Sequence, residues 1–246
     1  MESDKASSSG YCQTCNTTHH IYPGAALAYC DQLMSTLEES KHIDFASSTS
    51  DPKLSTDYLF GSARGQMFGV MTCRHPDGTV GTIKAFSGQY DGIWQVNGWV
   101  PPLFNIQKMD ALCRNVEKNI KSLGREIEAF EHDSSKRNQL RQDRRLLSQN
   151  LMRKIHTLYL LPNFRGETAA LTDVFRGKGR GIPTGVGDCC APKLLGYAAS
   201  NNLTPLGVAE FFWGRTNRSK SKSHKNFYPA CLEKCQPILG FMLCGL

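Results

Sequence analysis

The chain has 246 residues, of which 40% are hydrophobic and 21% are charged, a composition typical of a globular protein with one large or two small domains. Its formal net charge of +7 and its pI near 8.9 favour a polyanionic partner. The sequence contains no run of 18 apolar residues and no apolar stretch near its N-terminus. We therefore expect neither a membrane span nor a secretory signal, and we predict a cytoplasmic protein.

Residues 1–10 form a polar, serine-rich lead that we predict to be disordered. Residues 11–45 combine a Cys-x2-Cys segment with a helix that begins near Pro23. Cys12, Cys15 and His19 could supply three tetrahedral zinc ligands, because the turn between the cysteines places both sulfurs on one side. Cys30 could be the fourth ligand. The alternative is a loop of reduced thiols that binds no metal.

The middle of the chain changes from strand to helix periodicity. Two apolar runs, 65–74 and 78–88, are joined through Pro76-Asp77-Gly78 and predict a β-hairpin. Residues 93–105 predict a further short strand. From Met109 onwards, apolar residues recur at spacings of three and four in two arms, which predicts an antiparallel helical hairpin over residues 108–161. Each arm would extend about 35 Å, so we expect the hairpin to project from the domain.

After the hairpin, the sequence predicts a helix that starts at residues 189–190, a strand over 206–214, a basic loop and a helical end with a kink or a boundary at Pro237. We predict an α/β domain over residues 58–107 and 163–246, with a deaminase-like mixed sheet and flanking helices. The helical hairpin interrupts it.

A second possible zinc site lies in this domain. Its candidate ligands are Cys189, Cys190, Cys231 and Cys235. Zinc deaminases take one ligand from an [H/C]-x-E motif at a helix start and two from a P-C-x-x-C motif at a later helix. Here Ala191 stands where the proton-transferring glutamate is expected, which predicts a structural or inactive metal site. Glu210 or Asp188 could supply the missing carboxylate. The alternative is a group of buried thiols on two packed helices.

Three basic segments favour contact with a nucleic-acid backbone. The candidate RNA-binding residues are Arg137, Arg141, Arg144 and Arg145 in the second hairpin arm, Arg176, Lys178 and Arg180 in a glycine-rich stretch, and Arg215, Arg218, Lys220, Lys222 and Lys225 in the basic loop. Phe211, Phe212 and Trp213 precede the loop and could stack on unpaired bases. For each segment alone, the alternative is a solvated basic surface.

Several long phrases resemble the N-terminal extension of long RluA-type RNA pseudouridine synthases. They are RGQMFGVMTCR, IKAFSGQYDGIWQVNGWVPPLFN, GIPTGVGDCCAPKLLGYAASNNLTPLGVAEFFWG and FYPACLEKCQPILGFMLCGL. The resemblance implies an RNA partner and a role in RNA modification. The H-R-L-D-x-x-T-S-G motif that carries the synthase aspartate does not occur in these 246 residues, so no catalytic residue is implied. The phrase GDCCAPK is also similar, more distantly, to the C-x-E-P-K pattern of deaminase-fold toxins.

Three functions follow as hypotheses. The first is an RNA-binding accessory protein. The second is a zinc-dependent hydrolase of the deaminase type. The third is a structural partner whose helical hairpin holds a pseudouridine synthase domain or another protein.

Overall fold

The computed structural model describes residues 7–46, 51–130, 134–177, 179 and 181–246. In chain order, its strands and helices are β1 (Ser8–Cys12), β2 (Thr17–Ile21), α1 (Ala26–Ser40), β3 (Gln66–Arg74), β4 (Val80–Phe86), α2 (Ile106–Glu128), α3 (Ser135–His156), β5 (Leu160–Pro162), β6 (Thr168–Ala170), α4 (Leu171–Val174), α5 (Cys190–Ser200), β7 (Thr204–Trp213) and α6 (Gln236–Met242). This mixture of helices and strands agrees with the predicted α/β class. The predicted mixed sheet is not observed, because all strand pairs of the described residues are antiparallel.

The centre of the molecule is an antiparallel sheet with the strand order β4-β3-β7. Its first two strands are the predicted hairpin, in which Phe68 pairs with Phe86. The turn forms because Asp77 Oδ1 accepts a hydrogen bond from the backbone N–H of Thr79 at 2.9 Å, while Gly78 takes a φ of 87°. Strand β7 pairs with the other edge of β3, where Phe211 lies opposite Phe68.

Helices cover both faces of this sheet. Helix α5 packs across all three strands on one face, and α1 packs on β3 and β7 on the other. The sheet therefore separates two apolar cores. Met71 belongs to the core under α5, and the adjacent Val70 belongs to the core under α1. This division follows from the alternation of side chains along a strand.

Helices α2 and α3 lie side by side in the segment where the helical hairpin is predicted. Asn105 caps α2 by accepting a hydrogen bond from Lys108 N–H at 2.9 Å. At one end of the pair, Met109 and Ile155 pack on the α5 core. At the other end, the Arg137 guanidinium donates to the Phe130 carbonyl at 3.0 Å, so the helices run antiparallel. No described helix has both the length and the apolar composition needed to cross a membrane.

Strands β1 and β2 form a hairpin that packs on α6. The contact is backbone against backbone: a Cβ added to Gly10 would lie 2.2 Å from the Gly240 nitrogen. Ser8 and Ser9 therefore belong to a packed strand. The prediction that residues 1–10 form a disordered lead is wrong for Ser8–Gly10, and residues 1–6 lie outside the described part.

One other local prediction differs from the structure, and one agrees with it. Residues 93–105, all of them described, form no strand. Instead, Trp99 is buried in the α1 core and its Nε1 donates to the Ile43 carbonyl at 2.7 Å. The predicted boundary at Pro237 agrees with the structure, because the C-terminal helix begins at Gln236 and Pro237 lies in its first turn. A proline is tolerated there because the N–H that it lacks has no partner within the helix.

Candidate metal centres and basic surfaces

Three of the four cysteines predicted at the second zinc site lie together. Cys189 is the N-cap residue of α5, and Cys231 and Cys235 lie in the turn that precedes α6. One ligand atom from each lies within 4.8 Å of the others, and the sulfurs of Cys231 and Cys235 are 3.4 Å apart. We call these three residues the α5 group.

The local backbone brings the two sulfurs of the Cys231 segment together. The Cys235 N–H donates to the Cys231 carbonyl at 3.1 Å, which closes one helical turn between them. Hydrogen bonding with the thiols of Cys189 and Cys235 lowers the pKa of Cys231 well below its ordinary value. The α5 group thus fits zinc, which binds thiolate sulfur at about 2.3 Å, and three protein ligands leave a fourth position open.

Cys190, the fourth predicted ligand, does not join this group. It is fully buried, and its thiol faces the sheet, donating to the carbonyl of Met67 at 3.3 Å and more weakly to that of Ala85 at 3.6 Å. Burial raises the pKa of the Cys190 thiol. Successive residues at a helix start point in directions roughly 100° apart, so only one of two adjacent cysteines can face the Cys231 turn.

A carboxylate from β7 reaches the start of α5. Glu210 is only 5% exposed, and its Oε1 accepts a hydrogen bond from the Ala191 N–H at 3.1 Å. Burial raises the pKa of Glu210 to about 7, although the positive charge of Lys222 acts in the opposite direction. Ala191 holds the position where the deaminase motif has its glutamate. The carboxylate of Glu210 on β7 therefore lies beside the position in α5 that lacks one.

Asp188, the other carboxylate considered, is held elsewhere. It accepts a hydrogen bond from the Tyr159 hydroxyl at 2.6 Å. Burial raises the pKa of Asp188.

Lys193 is also buried, and its ammonium donates to the carbonyls of Phe86 and Gly88 at 3.0 and 2.9 Å. Lys193 therefore ties α5 to the end of β4, a structural role that sequence reasoning missed.

The three predicted N-terminal ligands also lie together, and a fourth residue that was not predicted, Cys244, joins them. Cys12, Cys15 and His19 lie in or beside the β1–β2 hairpin, and Cys244 follows α6. One ligand atom from each lies within 4.8 Å of the others. We call these four residues the hairpin group. Cys30, considered as the fourth ligand, lies under β7 instead, where its thiol donates to the Ala209 carbonyl at 3.5 Å.

Burial and hydrogen bonding shift the pKa values of two thiols in the hairpin group in opposite directions. Burial opposes ionisation of Cys12, but the backbone N–H groups of Cys15 and Thr14 and the thiols of Cys244 and Cys15 outweigh it and lower its pKa. Burial raises the pKa of Cys244 to about 12, and its hydrogen bonds with Cys15 and Cys12 add to this effect. One sulfur in the group is thus stabilised as a thiolate, the form that binds metal.

The predicted RNA-binding residues lie on separate elements. Arg141, Arg144 and Arg145 are exposed on α3, as are Arg215, Arg218, Lys220 and Lys225 in the basic loop and Arg176 after α4. Arg137 and Lys222 are half-buried, and Lys225 forms an ion pair with Glu38 at 2.6 Å. Lys178 and Arg180 lie outside the described residues.

The aromatic residues beside the basic loop are not available to nucleic-acid bases. Phe211, Phe212 and Trp213 are at most 3% exposed. They belong to β7, whose two faces are both covered. The expectation that they stack on unpaired bases is therefore wrong.

No family model, curated protein or solved structure matches this chain. The side chains themselves must therefore indicate the function.

Proposed function

We propose that this protein is an RNA-associated accessory protein of RNA modification, the role implied by its resemblance to the extension of RluA-type pseudouridine synthases. The observation that carries the proposal is the exposed arginine surface of α3. Arg141, Arg144 and Arg145 are exposed, and none of them pairs with a carboxylate or a hydrogen-bond acceptor among the described residues. Guanidinium groups that have no internal partner are free to bind phosphates.

The cysteines are assigned a structural role in this proposal. Cys235 is fully buried and Glu210 is nearly so, while Cys189 and Cys231 are half-buried. Zinc at this group would fasten the start of α5 to the turn before α6. Both helices contribute to the same core, so the metal would stabilise the domain that supports the basic surface.

The test is the salt dependence of binding to a labelled RNA hairpin. Replacement of Arg141, Arg144 and Arg145 by Gln should weaken binding and reduce the slope of log K against log salt by roughly 2 to 3, about one for each phosphate contact. A matched control replaces Arg114, Lys118 and Lys121, three exposed residues of α2, and removes the same charge. Equal effects of the two triple variants would show that net charge, and not the α3 surface, determines binding.

An unchanged slope in the α3 variant would contradict the assignment of this surface to RNA. The helical pair would then be left with the third role, contact with a synthase domain or another protein.

One observation favours a zinc-dependent hydrolase of the deaminase type as a second candidate. Glu210 lies at the backbone of Ala191, where such an enzyme needs a carboxylate. Zinc at the α5 group would lower the pKa of a bound water. Glu210 would accept the proton of that water and pass it to the departing amine.

Ammonia release from cytidine or adenosine in RNA tests the hydrolase. Any activity should be lost in Glu210→Gln while zinc content is unchanged. Activity that survives this substitution would contradict a role for Glu210. If the zinc-loaded protein releases no ammonia from any nucleobase tested, the hydrolase is excluded and RNA binding remains as the proposed function.

A further inference from the structure

We infer that Cys12, Cys15, His19 and Cys244 form a closed zinc site that fastens the N-terminal hairpin to the segment after α6. Three cysteines and one histidine are a ligand set typical of structural zinc. The site is separate from the α5 group and shares no residue with it. The inference holds whether or not the protein binds RNA.

The hairpin itself orients three of the ligands. Cys12 pairs directly with Thr17 across the two strands, so their side chains lie on the same face. His19 is two residues beyond Thr17 and shares that face, because side chains alternate along a strand. The tight turn between the strands carries Cys15 and is completed by Asn16, which adopts a φ of 54°. The pattern thus directs both sulfurs and one imidazole to one point.

The same alternation excludes the neighbouring histidine. His20 is exposed on the opposite face, where its ring stacks with that of Tyr22 at a centroid distance of 6.2 Å. His19, in contrast, has a buried Nε2 with no hydrogen-bond partner among the described residues. Buried polar atoms nearly always have a partner. A metal ion held by the surrounding sulfurs would supply one.

Cys244 closes the site from the other end of the chain. Its sulfur is fully buried and lies 3.4 Å from that of Cys15. Two sulfurs bound to one tetrahedral zinc at about 2.3 Å would be separated by roughly 3.8 Å, so the observed spacing needs little adjustment. The close packing of Gly10 on Gly240 brings the end of α6 to the hairpin.

A charged neighbour supports the assignment. The Arg165 guanidinium donates to the Cys15 sulfur at 3.2 Å. Three thiolates and one divalent ion carry a net charge of −1, which this guanidinium offsets. Partners of this kind, outside the ligands themselves, commonly orient and tune metal ligands.

The experiment is zinc analysis of the whole chain purified under reducing conditions, combined with cobalt substitution. We expect Cys244→Ser and His19→Ala each to lower the zinc content by about one ion per chain, because a four-ligand site binds poorly once a ligand is lost. Two matched controls should change nothing: His20→Ala, next to the ligand, and Cys113→Ser, a half-buried thiol outside both groups. His19→Cys keeps a fourth ligand, so it should retain zinc and shift the absorption spectrum of the cobalt-substituted protein. This variant tests the site if Cys244→Ser and His19→Ala do not fold.

The two zinc sites can fail separately. If only the hairpin group binds metal, the wild-type protein holds about one zinc, which Cys244→Ser removes and Cys235→Ser does not. Zinc content that is insensitive to both Cys244→Ser and His19→Ala would overturn the inference. A Cys15–Cys244 disulfide in the reduced, metal-treated protein, detected by intact mass, would overturn it as well.

Discussion

Replacement of Gly240 by Ala tests how closely the N-terminal hairpin packs on α6. In a helix considered alone, this change stabilises by about 1 kcal/mol, because alanine has the higher helix propensity. In the folded protein, however, the new Cβ would lie 1.9 Å from the Tyr11 carbonyl oxygen and 2.7 Å from the Cys12 nitrogen. Atoms not bonded to each other normally lie about 3.5 Å apart, so β1 must move away by roughly 1.5 Å.

Overpacking of this kind costs about 1 to 3 kcal/mol, and here both partners are backbone, which cannot rotate away, so the upper end applies. We therefore expect Gly240→Ala to lower the free energy of unfolding by about 2 kcal/mol net, which corresponds to a drop in Tm of roughly 4 to 8 °C. Urea unfolding followed by tryptophan fluorescence, at fixed zinc concentration, measures the difference. Zinc retention should fall too, because the displaced strand carries Cys12.

The matched control is Gly124→Ala in the interior of α2. Its added Cβ would meet only the Arg144 guanidinium, at 3.8 Å, an ordinary contact. This variant should gain about 0.5 to 1 kcal/mol from helix propensity. A Gly240→Ala protein that is as stable as the wild type, or as much stabilised as the control, would refute the close packing of β1 on α6.

Three further predictions concern the sheet and the helical pair. Because Glu210 keeps its proton in the folded state up to a pKa of about 7 but loses it at its ordinary pKa in the unfolded state, the metal-free protein should lose stability between about pH 4.5 and 7. Glu210→Gln should remove this loss of about 3 kcal/mol, as measured by unfolding curves taken at several pH values across that range. If the difference in unfolding free energy between the variant and the wild type does not change with pH, the prediction is wrong. Asn105→Ala removes the N-cap of α2 and should cost about 1 kcal/mol in urea unfolding. Phe68→Ala, at a fully buried ring stacked on Phe211 at 5.8 Å, should cost about 3 to 5 kcal/mol, and a smaller loss than that of Asn105→Ala would contradict the core assignment.

Local patterns were enough to predict most helices and the central hairpin. The β3–β4 hairpin follows from two apolar runs joined by Pro76-Asp77-Gly78, and α2 and α3 follow from apolar residues at spacings of three and four. The strand expected over residues 93–105 is absent because Trp99 finds a hydrogen-bond partner in Ile43 and buries its ring. Contacts between distant residues overrode the local preference there.

The metal ligands also show how far local sequence patterns can predict the structure. The sequence alone determined that Cys12, Cys15 and His19 could share a metal, because a turn and strand alternation bring them together over a few residues. It also determined that Cys231 and Cys235 lie one helical turn apart. Only the tertiary structure decided that Cys189 faces them while Cys190 faces the sheet, since adjacent helical residues point in different directions.

Cys244 was beyond local reasoning for a different reason. It lies 229 residues from Cys15, and the packing of β1 on α6, with Gly10 against Gly240, brings the two segments together. Local spacing determines which side chains one turn or one helix face can bring together. Which elements then meet depends on where backbones can approach each other closely, and that is a property of the folded chain.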